Sequence, residues 1–143
     1  MLRIFITVAI MVVAASASAS GINISKSQLI EAGKNDKITA YVIKESRTVN
    51  ADGSIGFDAL YQYSPAGSKI LFASMKKADR PVVTVTTFHV KCDQNKMKGV
   101  YSKMYSQTKD VFDGPIKGAK YSKIGDGSVE SAVAEVACKP DFE

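Results

Sequence analysis

The chain has 143 residues, 45% of them hydrophobic and 23% charged, and a formal net charge of +5. That length accommodates one domain with a modest core and excludes a large multidomain assembly. The positive balance selects acidic surfaces, anionic polymers or nucleic acid as partner classes.

The opening, MLRIFITVAIMVVAASASAS, reads as a secretory signal peptide over residues 1–19. Arg3 precedes an apolar run from Ile4 to Ala15, and Ala15-Ser16-Ala17 and Ala17-Ser18-Ala19 each offer small residues around a cleavage point. The run falls short of the ~18 apolar residues a spanning helix needs, and no later stretch approaches that length. Losing Arg3 with the leader lowers the net charge from +5 to +4, so the mature chain stays basic. Residues 20–143 are expected to form a single domain, exported to the periplasm or secreted from a bacterial cell, where nucleic acid is not the natural partner. No cysteine directly follows the leader to accept a lipid, so the expectation is a protein that is not lipid-anchored.

In chain order, SKSQLIEAG (25–33) predicts a short helix, capped by Ser25 or Ser27 and stopped by Gly33. KITAYVIK (37–44) is β-branched and aromatic and predicts a strand. NADG (50–53) is a turn signal. Beyond it Ile55, Phe57, Ala59, Tyr61 and Tyr63 alternate with Gly56, Asp58, Leu60 and Gln62, the period of a half-buried strand. SPAGS (64–68) predicts a break. PVVTVTTFHVK (81–91), the tight connection DQNK and MKGVYSKMYSQ (97–107) predict an antiparallel hairpin, with neither face of 81–91 plainly polar. DGPIKGAK (113–120) predicts a loop by its Gly and Pro, and YSKI (121–124) a short last strand.

GDGSVESAVAEVACKP predicts a C-terminal helix with Ser128 as N-cap, Glu130 in the first turn and Pro140 as the stop. Val129, Ala132, Val133, Val136 and Ala137 lie on one helix face, and its alanines allow close approach to a sheet. The two cysteines, Cys92 and Cys138, survive processing. In an oxidising compartment an even pair is expected to form a disulfide. It closes a loop for which the chain-entropy estimate is about 4 kcal/mol. The bond would staple the helix to the hairpin strand, giving an α+β fold with an antiparallel β-sheet packed against a C-terminal helix.

Little points to catalysis. His89, the single histidine, stands three residues from Cys92 and so on the opposite face of a strand, too far for a thiol–imidazole pair. No nucleophile-elbow pattern surrounds a serine. One His and a cystine cannot supply a zinc site. Asp110 and Asp113 read as a turn rather than a calcium loop, and Gly125-Asp126-Gly127 as a plain helix start rather than an anion-binding turn. The expectation is no catalytic, cofactor or metal site.

The lysines are the stronger signal. Eight fall between residues 91 and 123 (Lys91, Lys96, Lys98, Lys103, Lys109, Lys117, Lys120, Lys123) against Asp93, Asp110 and Asp113. Lys76, Lys77 and Arg80 come just before the hairpin, and Tyr101, Tyr105 and Tyr121 interleave with the run. Basic and aromatic residues on a sheet fit an acidic protein segment, a polyanion or a glycan. The alternative is a solvated face whose lysines keep edge strands from aggregating.

The strand–turn–strand opening TAYVIKESRTVNADGSIGFDALYQY, the first cysteine in VKCDQNKMKGVYSKMYS and the second at the end of GSVESAVAEVAC together resemble the surface-adhesin protein E family of Gram-negative bacteria. The likeness runs over about 37–138. It implies an antiparallel sheet flanked by a disulfide-held helix, non-enzymatic binding to host extracellular matrix or serum proteins, and a homodimer as one assembly. Family binding is associated with the basic stretch before and around the first cysteine, which maps to Lys76, Lys77, Arg80, Lys91, Lys96 and Lys98. Tyr101, Lys103 and Tyr105 complete the partner-binding candidates. Members often carry a tryptophan near the helix start; this chain has none, and Tyr121 is the candidate substitute. The other functional class is a small periplasmic structural or inhibitory protein with a bacterial partner.

Overall fold

The computed structural model describes residues 24–140; the expected leader over 1–19 lies outside the described residues. Eight strands form one antiparallel sheet: β1 (Leu29–Lys34), β2 (Ile38–Ile43), β3 (Thr48–Val49), β4 (Ile55–Tyr63), β5 (Val83–Lys91), β6 (Lys96–Tyr105), β7 (Asp110–Pro115) and β8 (Ser122–Lys123). The order across the sheet is β1-β2-β4-β5-β6-β7, with β3 against β4 and β8 against β6. Two α-helices complete the fold, α1 (Pro65–Leu71) and α2 (Val129–Ala137).

The alternations predicted for 55–63 and 81–91 place two sets of side chains on opposite faces. Phe57, Ala59 and Tyr61 of β4 pair directly with Phe88, Thr86 and Thr84 of β5. They share a face with Ala40 and Val42 of β2, and on this face α2 buries Val133, Ala134 and Ala137. Ser128 caps α2 by accepting from the Ser131 N–H at 3.0 Å, as its sequence predicts. The second face holds a smaller cluster of Leu60, Val83 and Tyr105. Both faces of β5 are therefore partly covered.

Cys92 follows β5 and Cys138 caps α2, and the two are joined with a Cα–Cα separation of 5.9 Å. The end of the hairpin strand is thus tied to the end of the covering helix. Arg47 adds a second tie, donating from Nε to the Ala137 carbonyl at 3.1 Å, where a cation also complements the helix dipole.

Three expectations are corrected. Over 25–33 only Lys26–Gln28 is helical, as one 3-10 turn, and the chain then enters β1. Pairing of Leu29, Ile30 and Glu31 with Ile43, Val42 and Tyr41 outweighs a weak local helix signal. Gly33 is no helix stop: a Cβ there would lie 3.2 Å from the Ala132 Cβ, so its bare backbone lets α2 approach. Over 64–68 the strand ends at Tyr63 as expected, and the chain then begins α1, because Ser64-Pro65 is an N-cap followed by the first-turn proline. Finally, Asp110 and Asp113 lie in β7 rather than a turn, and Gly114 and Pro115 extend that strand into the predicted loop. β7 is at the sheet edge, where a proline costs no ladder bond.

A candidate binding face built by one extra residue

Strict alternation along 96–105 would put Lys96 and Lys98 on one face and Tyr101, Lys103 and Tyr105 on the other. The structure does not. Phe88 pairs with Gly99 while its neighbour Thr87 pairs with Tyr101, so Val100 is an extra residue in β6. This β-bulge resets the parity. Met97 and Gly99 before it, and Ser102 and Met104 after it, face the α2 side, opposite Val90, Phe88, Thr86 and Thr84. Lys96, Lys98, Tyr101 and Lys103 all emerge on the far side. Just beyond β7, the Ile116 N–H donates to the Val100 carbonyl at 3.0 Å.

At the disulfide end of this face the cations line up across strands. Lys96 is directly opposite Lys91 of β5 on one side and Lys123 of β8 on the other. Directly opposed like charges in a sheet repel. Among the described residues the ion pairs are Lys37–Asp36 at 3.9 Å and Lys109–Asp79 at 2.6 Å, and neither involves this row. An aromatic ring joins one end of the row to Lys98. The Lys91 and Lys98 ammonium groups lie 4.4 and 4.6 Å from the centroid of Tyr121, which sits just before β8. The Tyr121 hydroxyl donates to Asp52 Oδ2 at 3.2 Å. Asp52 in turn accepts from the Ser54 hydroxyl at 2.6 Å and N–H at 3.0 Å, and these bonds hold its carboxyl below the ordinary carboxylate range, at about 2.

The remaining candidates are distributed differently. Lys76, Lys77 and Arg80 lie in the segment between α1 and β5, at the opposite end of the sheet. Nine residues of β5 separate that end from Lys91, roughly 26 Å along an extended strand. There Arg80 Nε donates to the Met75 carbonyl at 3.2 Å, and Lys109 engages Asp79, whose carboxyl is held low first by that bond. Tyr101 is exposed and donates to Asp113 Oδ1, which pushes its phenol pKa up. Tyr105 is 7% exposed and packs with Leu60 and Val83, so its ring belongs to the core rather than to a contact surface. Burial is also the first cause that raises its pKa. Tyr121, absent from the predicted partner-binding set, proves to be the residue around which two of the lysines are arranged.

Two clefts flank the hairpin. One, of about 610 Å³, opens on the α2 side and is lined by Thr86, Phe88, Met97, Ile116, Ile124 and Glu130 among others. Tyr61 packs behind Phe88, its hydroxyl buried without a hydrogen-bond partner among the described residues, and burial pushes its pKa far up. The other, of about 380 Å³, lies beside the disulfide and is lined by Arg47, Asp52, Ile55, Lys91, Cys92 and Cys138 among others. His89 lines neither. Among the described residues no group of three His, Cys, Asp or Glu side chains gathers as a metal site, and no helix is long and apolar enough to cross a membrane.

An eight-stranded antiparallel sheet, covered on one side by a disulfide-tied helix and only partly covered on the other, defines the structural class. A solved structure of protein E from Haemophilus influenzae is similar: 15% of residues are identical, 80% of this chain and 90% of that chain are covered, and the TM-score is 0.54. At that identity the likeness is one of fold. No family model matches the chain, and no curated protein matches it.

Proposed function

We propose that the chain is an exported, non-enzymatic binding module of the protein E family, using the β6 face to hold acidic partners, among them host extracellular matrix or serum proteins. The observation that carries this reading is the bulge at Val100. It gathers Lys96, Lys98, Tyr101 and Lys103 onto one open face, where alternation alone would divide them. A face meant only for solubility has no need to align Lys91, Lys96 and Lys123 in direct opposition, at a cost in repulsion. The shared fold with protein E and the sequence likeness over 37–138 support the family assignment. The disulfide supports export, since such bonds persist in oxidising compartments.

The test is binding of the mature chain to immobilised matrix and serum proteins across a salt series. The reading expects attachment at low salt that weakens steeply at moderate salt, and that falls when Lys96, Lys98 and Lys103 are replaced by serine. Undiminished binding by that triple variant would overturn it. Protease treatment of intact cells separates the two locations: cleavage fits a surface adhesin, protection fits a periplasmic protein with a bacterial partner.

A further inference from the structure

The disulfide-end corner of the β6 face offers a partner something narrower than the face as a whole. There β6 is paired on both sides, with β5 and β8, so the only backbone edge at this corner of the described sheet is the two-residue β8, too short to template an incoming peptide strand. Among the described residues, the large exposed hydrophobic group on this face is Tyr101, three residues beyond Lys98 and bonded to Asp113; the others are elsewhere. Val49 and Phe112 pair with Ile55 and Met104 in rows that face α2, Ile116 reaches over Gly99 on that same side, and Ile70 and Leu71 belong to α1. A folded protein partner normally needs an apolar or aromatic centre to bury, and Tyr121, the ring at hand, is already capped by two lysines.

What the corner has is fixed positive charge beside a cleft. Lys91, Lys96 and Lys123 stand about 4.8 Å apart across the strands, and Lys98 about 6.6 Å along β6 from Lys96. The 380 Å³ cleft opens next to Lys91. A flexible chain bearing permanent negative charges needs neither a backbone ladder nor an apolar anchor. Resting on the reading of this face as an anion-binding surface, we propose that the corner binds a sulfated polysaccharide and that Tyr121 is its positioning residue. Sulfate esters are anions of strong acids that stay ionised at physiological pH, and they repeat along a sugar chain whose rings can enter the cleft. Tyr121 acts through the lysines: its ring holds two long side chains that otherwise lose rotamer freedom on binding, and Asp52 fixes the ring.

The experiment uses the folded mature chain, with heparin as the sulfated probe and polyglutamate as an acidic peptide probe. Lys91→Ser/Lys98→Ser is expected to weaken heparin binding about tenfold, two charge contacts being lost. Lys76→Ser/Lys77→Ser, with the same loss of charge at the far end of the sheet, should leave it within twofold. Tyr121→Leu leaves net charge unchanged and should weaken binding about threefold through lost positioning, while Tyr121→Phe keeps the ring and most of the affinity. Near-ultraviolet circular dichroism and the melting temperature check that each variant is folded. Equal losses from the two lysine pairs would overturn the corner as a site, and equal affinity of Tyr121→Leu and the native chain would overturn the role of Tyr121. Polyglutamate binding as tight as heparin would overturn the polysaccharide but keep the anion-binding reading. Binding of neither probe, with matrix proteins still held through the lysines, would also overturn the polysaccharide alone; loss of all three would sink both.

Discussion

The two cationic ends of the β5–β6 hairpin carry similar charge on different frameworks. At one end Lys76, Lys77 and Arg80 lie in a connecting segment containing a single 3-10 turn. Arg80 is turned onto a backbone carbonyl, and nearby Asp79 already has a cation in Lys109. At the other end Lys91, Lys96 and Lys123 are set opposite each other by strand register, with Lys98 and Lys91 drawn to one ring. A linear sequence counts these ends as equal. The lesson is that charge density alone does not make a binding site: a fixed frame that keeps cations together does.

Breaking the covalent tie tests how far the frame depends on it. The disulfide joins residues 46 apart in sequence, and its removal by Cys92→Ser/Cys138→Ser should cost about 4 kcal/mol in denaturant unfolding. Hydrogen exchange should rise first around Lys91–Lys96 and the end of α2, and not around Lys76–Arg80. Uniform loss of protection would show that the two ends are not independently anchored.

Deleting Val100 is a milder perturbation. Because Val100 is the extra residue, its removal restores a regular ladder and leaves Lys96, Lys98, Tyr101 and Lys103 on their present face. The cost should be about 1 kcal/mol, the scale of the one hydrogen bond lost from its carbonyl to Ile116. A variant that no longer unfolds cooperatively would contradict the assigned register.

Reversing one charge tests the repulsion within the row. Lys96→Glu should raise stability by about 0.5 kcal/mol at low salt, since it turns two like-charge pairs into opposite ones. The gain should vanish in molar salt, and Lys77→Glu should produce none. Equal gains at both ends would mean that the response is to net charge.

The smallest effect concerns Asp52. Its carboxyl titrates near 2 rather than at its ordinary value, so it takes up a proton more readily in the unfolded chain than in the folded one. Its contribution is therefore complete above about pH 4 and lost as pH falls toward 2. Carboxyl resonances followed by NMR should show Asp52 ionised, and Tyr121 still held, at about pH 3. Titration near pH 4 would remove Asp52 as the anchor of the ring.

Much of the scaffold was legible locally. The hairpin, the Asp52-Gly53 turn and the Ser128-capped helix all announce themselves in residue type and spacing, and two cysteines leave each other a single partner. α1 was missed because Ser64-Pro65 serves equally as a breaker and as a helix start, and β7 because Gly114 and Pro115 look like loop unless the strand is known to lie at an edge. The binding face was the least legible part. A signal existed: Met97 and Met104 both face α2 although seven residues separate them, which strict alternation forbids. Reading it requires knowing that both belong to one strand.

Which segments bury an apolar side, where the last helix begins and which sulfurs join can be read locally, because each rests on the periodicity or chemistry of a few neighbouring residues. Only the tertiary structure decided that Lys96, Lys98, Tyr101 and Lys103 share a face, and that Tyr121 lies between Lys91 and Lys98. Facing in a strand is a relation to the strand beside it: one unpaired residue reverses everything beyond it, and only the partner's hydrogen bonds say where that residue is.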